Sequence, residues 1–500
     1  MKKGHRKSKY LQFTETLSCN EKIALANYFK RLSQHILLSE QEKKKMLTDF
    51  ENAILYYLDS EKIPLDEALA RLDPSNLGGF YARPPILWYP LDDAAKIYPL
   101  SMNRSQMAVF RLSAYMNADV IPEILQMALT FTIKRFPYFA TTIKKGVFWH
   151  YIDSTKRRFS VEPETEIPCK PMDVSASGSQ SFRIIYYKNR ISVEFFHILT
   201  DGTGGMTFLK TLVAEYLRLC GIRIPYGDGV LNINDFPAAD ESSNDFLHTA
   251  SSEKASGFVD KPAVQMSGRL ARIKPCQILH FDLNSNRLKA AATQKNSTVT
   301  AFILALMFAA GKAATDETEG SIHIQVPVNM RKFYPSNTIR NFALYCSIRI
   351  PLSRISGVDD ILPEIAKQLS ENASIEAMSR MMNAAVKLVQ MLKFVPLFVK
   401  RPAARLIYGF LGDKVFSNTL SNLGVVKIPA EMSPYIKKLD CVIGTSITNR
   451  ASCSMVTLGD TATFSITKMT ADPSFENKLY DLFKENGLLP DVKGSELYGY

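Results

Sequence analysis

Two runs of alternating residues, FRIIYY (residues 182–187) and RISVEFFH (190–197), stand two residues apart. They run straight into a turn, ILTDGTGG, and then into apolar residues at helical spacing, Phe208, Leu209, Leu212, Val213 and Tyr216. Alternation suits a strand, because successive side chains leave a strand on opposite faces. Two such runs joined at Lys188-Asn189 read as a β-hairpin, and the turn then delivers the chain to a helix N-terminus. Strand, turn and helix in that order commit this region to a mixed α/β arrangement. Along RISVEFFH, Ile191, Val193, Phe195 and His197 share one face, while Ser192, Glu194 and Phe196 share the other. His197 therefore closes the apolar face of a strand. On these residues alone two readings stand. His197 is either a packed core histidine beside a helix capped by Asp201, or an imidazole held by packing and open at one edge, able to act as a base.

The remainder of the chain repeats the mixture. Residues 20–72 are helical by the spacing of Ile23, Leu25, Ala26 and Phe29 and of Met46, Phe50, Ile54, Leu55 and Leu58, and prolines 74, 84, 85 and 90 punctuate the chain beyond them. QMAVFRLSAYM reads as a strand and IPEILQMALTFTIKRFP as a helix. Residues 225–268 are rich in Asp, Asn, Ser, Gly and Pro, which predicts a long exposed connection or crossover. A second α/β region comes next. Its predicted strands are IHIQVPV, FALYCSIRI, KKLDCVIGTSI, CSMVTLG and TATFSITKM, and its predicted helices cover residues 297–311, 358–371 and 381–411. The expected division is a helical extension over 1–87, a first lobe over 88–268 ending in a linker, and a second lobe over 269–500. At 500 residues and 46% hydrophobic the chain has enough apolar material for two or three cores.

Lys and Arg outnumber Asp and Glu by 61 to 49, a net charge of +12, which favours an anionic partner: nucleic acid, a lipid surface or a phosphorylated cofactor. Basic clusters interleaved with stacking aromatics are absent, so nucleic acid is not expected. The basic start MKKGHRKSK has no apolar run behind it and lacks the core of a secretory signal. STVTAFILALMFAAG (297–311) is shorter than the roughly 18 residues of a membrane span and predicts a buried helix. Seven scattered cysteines, none in a Cys-x-x-Cys pair, fit reduced thiols in a cytoplasmic protein and give neither a metal site nor a reactive nucleophile. The segment SRMMNAAVKLVQMLKFVPLFVKRPAARLIYGFLGDK sets Lys387, Lys393, Lys400, Arg401 and Arg405 among helically spaced apolar residues. Such a stripe is core with a solvated basic face, an acyl-pocket lining, or a weak contact with anionic lipid that would make the protein peripheral to a membrane.

FFHILTDG resembles the H-H-x-x-x-D-G motif of the condensation-domain and chloramphenicol-acetyltransferase-like superfamily of CoA-dependent acyltransferases, most of all its stand-alone bacterial alcohol acetyltransferases. LDDAAKIYP (91–99), KRFPYF (134–139), STVTAFILALMFAA, VPVNMRKFYPSNTIRNF (326–342) and SNLG (421–424) resemble further segments of that family, so the likeness runs from about Trp88 to Thr470. There are departures: Phe196 replaces the first motif histidine, the D-F-G-W-G loop is missing with SNLG in its place, and the N-terminal helices lie outside the likeness.

The resemblance implies a two-lobed α/β (α+β) fold with an active-site tunnel between the lobes and His197 midway along it. It implies that His197 takes the acceptor's proton directly, with no acyl-enzyme, a role contributing about 10²–10⁴-fold. It implies that Asp201 pairs with an arginine from the second lobe, here Arg331, rather than serving as a triad acid; the plain alternative makes Arg331 a surface charge. Gly202, Gly204 and Gly205 would let the backbone approach a ligand, and Ser421 and Asn422 would offer polar hydrogens to an oxyanion or substrate, although Ser-Asn-Leu-Gly is also an ordinary turn. The expected reaction moves an acyl group from acyl-CoA, a co-substrate rather than a tightly bound cofactor, to an alcohol or other hydroxyl acceptor. Two rivals stand beside it: a condensation enzyme fed in trans by an acyl carrier protein, and a non-catalytic lipid- or partner-binding protein on the same fold.

Overall fold

The computed structural model describes residues 9–82, 88–93, 95–96, 98–101, 107–155, 157–172, 181–249, 261–400, 415–444 and 449–498. Helices α1 (Lys9–Thr16), α2 (Cys19–Gln34), α3 (Glu40–Asp59) and α4 (Leu65–Arg71) open it. Next come β1 (Trp88–Pro90), α5 (Tyr98–Ser101), β2 (Val109–Met116), α6 (Pro122–Thr132), β3 (Thr141–Lys145), β4 (His150–Ser154) and β5 (Val161–Pro163). β6 (Phe182–Tyr187), β7 (Arg190–Phe196), α7 (Gly202–Leu219) and α8 (Asp245–Thr249) complete the first half. The second half runs β8 (Gln277–Asn284), α9 (Ser285–Gln294), α10 (Val299–Ala313), β9 (Ser321–Asn329), β10 (Ala343–Pro351), α11 (Val358–Asn372) and α12 (Ile375–Met391). It ends with β11 (Asn418–Val425), β12 (Ile436–Ile443), β13 (Ala451–Leu458), β14 (Thr461–Lys468), α13 (Ser474–Glu485) and β15 (Asp491–Gly494).

Three sheets result: β12-β2-β7-β6-β5, β10-β9-β11-β13-β14-β8-β15, and the small β1-β4-β3. The predicted hairpin is β6–β7, antiparallel, with Tyr187 opposite Arg190. Lys188 takes φ +49° at its turn, and Asn189 ties that turn to β2 through Met116, donating from Nδ2 at 2.6 Å and accepting from the Met116 N–H at 2.7 Å. β7 is buried along both faces, because Glu194, on the nominally polar side, accepts from Arg111 Nε and Arg183 Nε at 2.9 Å each. The apolar run at 297–311 forms α10 inside the second core, its N-terminus capped by Thr298.

Two expectations about organisation are corrected. KKLDCVI, assigned to the second lobe, forms β12 and extends the first lobe's sheet, pairing antiparallel with β2 from Ile436 opposite Met116 to Ile443 opposite Phe110. Alternation identifies a strand but not its partner, so the 269–500 segment does not map onto one lobe. The helices before residue 88 are no appendage: Leu25, Leu32, Phe50, Ile54 and Tyr57 belong to the same core as β2, β7, α6 and α7. Phe50 meets Phe131 of α6 at 6.1 Å, and the Tyr57 hydroxyl donates to the Leu219 carbonyl at 2.7 Å. The connection at 225–268 is exposed or half-buried over most of its described residues, as expected, and is tied down at a few points. Arg135 donates to both Glu241 oxygens at 2.6 Å, Glu241 O accepts from the Ile339 N–H at 2.8 Å, and fully buried Phe246 meets Phe342 edge-on at 5.4 Å. Its composition lacks periodicity because single side chains and backbone groups make these contacts. In the predicted helix over 381–411, α12 ends at Met391, ahead of Pro396, and residues 401–414 lie outside the described residues.

Candidate active site

β7 ends at Phe196, and the His197 N–H closes the edge of β2 by donating to the Ala108 carbonyl at 2.8 Å. The ring packs 5.0 Å from Phe110 and is partly exposed. Its Nδ1 lies 2.8 Å from Oδ1 of Asn341, which stands just ahead of β10 in the second lobe. Asn341 is oriented unambiguously, because its Nδ2 donates to the His197 carbonyl at 2.8 Å, so the oxygen faces the ring. Nδ1 is therefore the protonated nitrogen of the neutral imidazole and Nε2 carries the lone pair. Burial holds the His197 pKa below the ordinary histidine value, against smaller upward pulls from its own backbone hydrogen bond, Asp201 and Asn341. The ring is accordingly neutral at neutral pH.

Asp201 does two jobs. Oδ1 accepts the N–H groups of Thr203 and Gly204 at 3.0 Å each, which caps α7. Oδ2 accepts from Arg331 Nη1 at 2.7 Å and from the Phe342 N–H at 2.8 Å. Arg331 spends its other donors on the same loop, giving Nη2 to the carbonyls of Thr338 and Arg340 at 2.8 Å each. The carboxylate is turned toward the second lobe, and Asn341, not Asp201, meets Nδ1 of the imidazole.

The glycines at the start of α7 allow close approach. A Cβ on Gly202 would collide with the Leu423 side chain, and one on Gly204 with the Ile339 carbonyl and the Thr200 hydroxyl. They let the α7 N-terminus pack closely against Leu423 and Ile339 of the second lobe and against Thr200. SNLG is not a free turn: Ser421 and Asn422 lie in β11, parallel to β13. Asn422 Nδ2 donates to Thr300 Oγ1 of α10 at 2.9 Å, and its Oδ1 accepts the Gly424 N–H at 2.8 Å, which commits that amide to the second lobe. Leu423, at the irregularity of β11 between Asn422 and Val425, is the side chain that meets Gly202.

Sequence reasoning passed over Asn341 and Asp92. Fully buried Asp92 accepts the Ala95 N–H at 2.7 Å and has Asn341 Nδ2 at 3.5 Å and Arg340 Nε at 3.7 Å. Burial, with Asp93 alongside, raises its pKa to about 6 despite Arg340. Both residues fall in family-like segments, LDDAAKIYP and TIRNF, yet only the chain path brings them to His197. Among the described residues no group of His, Cys, Asp and Glu could hold a metal ion. Burial pushes the thiols of Cys220 and Cys346 up to about 11 and that of Cys441 to about 12, leaving them protonated near neutral pH.

These sheets, and the strand–turn–helix joint clasped by the opposite lobe, define the two-lobed fold common to chloramphenicol-acetyltransferase-like acyltransferases and condensation domains. In particular, the chain is similar to F. graminearum TRI101 complexed with coenzyme A and T-2 mycotoxin, at 12% identity and TM-score 0.55 over 81% of this chain and 99% of that one. TRI3 trichothecene 15-O-acetyltransferase from Fusarium sporotrichioides is similar over 80% of this chain and 94% of its own, at 12% identity and TM-score 0.52. The first condensation domain of the CDA synthetase is similar over the same shares at 13% identity and TM-score 0.53. At such identities the likeness is one of fold. No family model matches the sequence, and no curated protein matches it.

Proposed function

We propose that this protein is an acyltransferase that carries an acyl group from acyl-CoA to a hydroxyl acceptor, with His197 as general base. The observation that carries the reading is the 2.8 Å contact between His197 Nδ1 and Asn341 Oδ1, which puts the basic lone pair on Nε2 of a ring that burial keeps neutral. Nε2 takes the acceptor's hydroxyl proton as that oxygen attacks the thioester carbonyl. The resulting tetrahedral oxyanion collapses and expels the CoA thiolate, which recovers the proton from the imidazolium. Ser421 and Asn422, whose Nδ2 keeps a second hydrogen beyond its bond to Thr300, are the candidate donors to the oxyanion. The Asp201–Arg331 pair holds the two lobes on either side of the tunnel in which the reaction is read to occur. The net charge of +12 suits the CoA phosphates.

The test is thiol release from a panel of acyl-CoAs and alcohols. Turnover should fall at least about 10²-fold in His197→Ala, with the fold retained. Wild-type kcat/KM should hold steady as pH falls through about 6.5 and drop only at lower pH, because the base titrates below the ordinary histidine value. Wild-type turnover by His197→Ala would remove the base. The fold likeness to a condensation domain supports a second reading, a carrier-bound donor. If calorimetry finds an acylated carrier protein bound and no CoA or acyl-CoA, that reading replaces the first.

A further inference from the structure

Two segments far apart in sequence build one apolar projection from the surface. The β3–β4 turn presents Val147, 71% exposed, with Phe148 beside it; the chain leaving α12 presents Met391, Phe394 and Phe398, 74%, 76% and 77% exposed. They are joined, since Phe148 meets Phe394 edge-on at 6.2 Å and the Leu397 N–H donates to the Val147 carbonyl at 2.9 Å. Beneath them buried Lys400 donates to the Phe148 carbonyl at 2.8 Å and lies 3.3 Å from the centre of the Trp149 ring, which fixes the two segments together. Large apolar side chains this exposed, and grouped, mark an interaction surface rather than ordinary surface scatter.

Charge decides the occupant. Exposed Lys145 and Lys393 and half-buried Lys144 flank the aromatics. No Asp or Glu occurs in sequence between Glu123 and Asp153, or between Glu376 and Asp413, whereas the second interval carries Arg380, Lys387, Lys393, Lys400, Arg401 and Arg405. Aromatic and aliphatic tips flanked by lysines, with the nearby Asp93 paired to Lys96 at 2.6 Å, match the boundary between acyl chains and anionic headgroups.

We propose that this projection docks the protein on anionic lipid bilayers, inserting Phe394 and Phe398 while Lys145 and Lys393 meet the headgroups. The proposal does not depend on the acyl-transfer reading, since vesicle binding and thiol release are separate measurements.

The full chain is sedimented with vesicles of phosphatidylcholine alone or containing roughly 30% phosphatidylglycerol. It should bind the anionic vesicles at low salt, and at least about tenfold less on neutral vesicles or in high salt. Phe394→Ser with Phe398→Ser should abolish binding, with an unchanged circular dichroism spectrum because both side chains are exposed. Lys145→Glu with Lys393→Glu leaves the apolar tips in place and should weaken binding to anionic vesicles about tenfold. No binding, equal binding to both vesicle types, or wild-type binding by either variant overturns the proposal. So does self-association lost in the serine variant without lipid binding, which would make a second copy of the chain the occupant.

Discussion

Two buried carboxylates, each beside an arginine of the second lobe, lie on either side of the Asn341–Phe342 segment, and they are held very differently. Asp201 accepts four N–H donors at 2.7–3.0 Å, one of them from Arg331. Among the described residues Asp92 has a single close donor, the Ala95 N–H, while Arg340 stays 3.7 Å away with its Nε lacking a hydrogen-bond partner there. A buried charge is tolerable when its lone pairs are filled and costly when they are not. One acid is thus a clasp between lobes, and the other is a carboxylate that titrates at about 6. Residue type does not separate the two; the number and reach of donors does.

The clasp should show the largest effect. Asparagine can still cap α7 through Oδ1, but its Nδ2 stands where Oδ2 accepted from Arg331 and from the Phe342 N–H, so Asp201→Asn removes both the charge and that acceptor. It leaves Arg331 buried without its partner, at a cost of about 3–5 kcal/mol, and Arg331→Met should cost a similar amount. The double variant should lose much less than the sum of the singles, because contacting residues couple by about 0.5–3 kcal/mol. Urea denaturation of the four proteins decides it. Additive losses would reduce the clasp to two unrelated contacts, and the contrast with Asp92 would vanish.

The same contrast explains what could be read from the chain itself. His197 at a strand end, Asp201 at a helix start and the apolar character of α10 were legible because strand alternation, capping and helical spacing are local rules. The pairing of Asp201 with Arg331 was expected only through a family likeness, since 130 residues separate them. Asn341 and Asp92 gave no signal: each touches the site by a hydrogen bond whose geometry depends on where two distant segments cross. β12 failed for the same reason. Its alternating pattern was plain, but a strand's pattern does not name the sheet it joins. The glycines were legible as a place of close approach, though not for what approaches.

Asp92 should give the next effect, and its sign is opposite to that of a well-paired acid. Its carboxyl is raised to about 6 in the folded protein from an ordinary value near 4, so protonation favours the native state. Stability should therefore decline as pH rises from about 4 to 6, by up to about 3 kcal/mol from this group, and level off above. Asp92→Asn should flatten that decline. If denaturation midpoints of wild type and variant follow parallel curves across this range, Asp92 is held as firmly as Asp201 and the contrast is false.

The smallest effect, and the most specific, belongs to Asn341, which lies between the two acids. Asn341→Ala removes one acceptor for His197 Nδ1–H and leaves the ring its own backbone hydrogen bond, so the tautomer and the tilt of the ring are held less firmly. Only the tautomer with the lone pair on Nε2 can take the acceptor's proton, so kcat should fall about tenfold while KM changes little, the pattern of a positioning residue. Asn341→Asp makes the sharper version of this test. A carboxylate in place of the amide oxygen keeps the acceptor for Nδ1–H but stabilises the imidazolium, so the acid limb of the pH–rate profile should move up. Asn341→Ala, by contrast, trades one small upward influence for a more solvated ring and should leave that limb much nearer to wild type. Two pH profiles with the same acid limb as wild type, together with unchanged kcat in Asn341→Ala, would mean that the second lobe does not set the tautomer. The base would then owe its orientation to the first lobe alone, to Phe110 and the strand end.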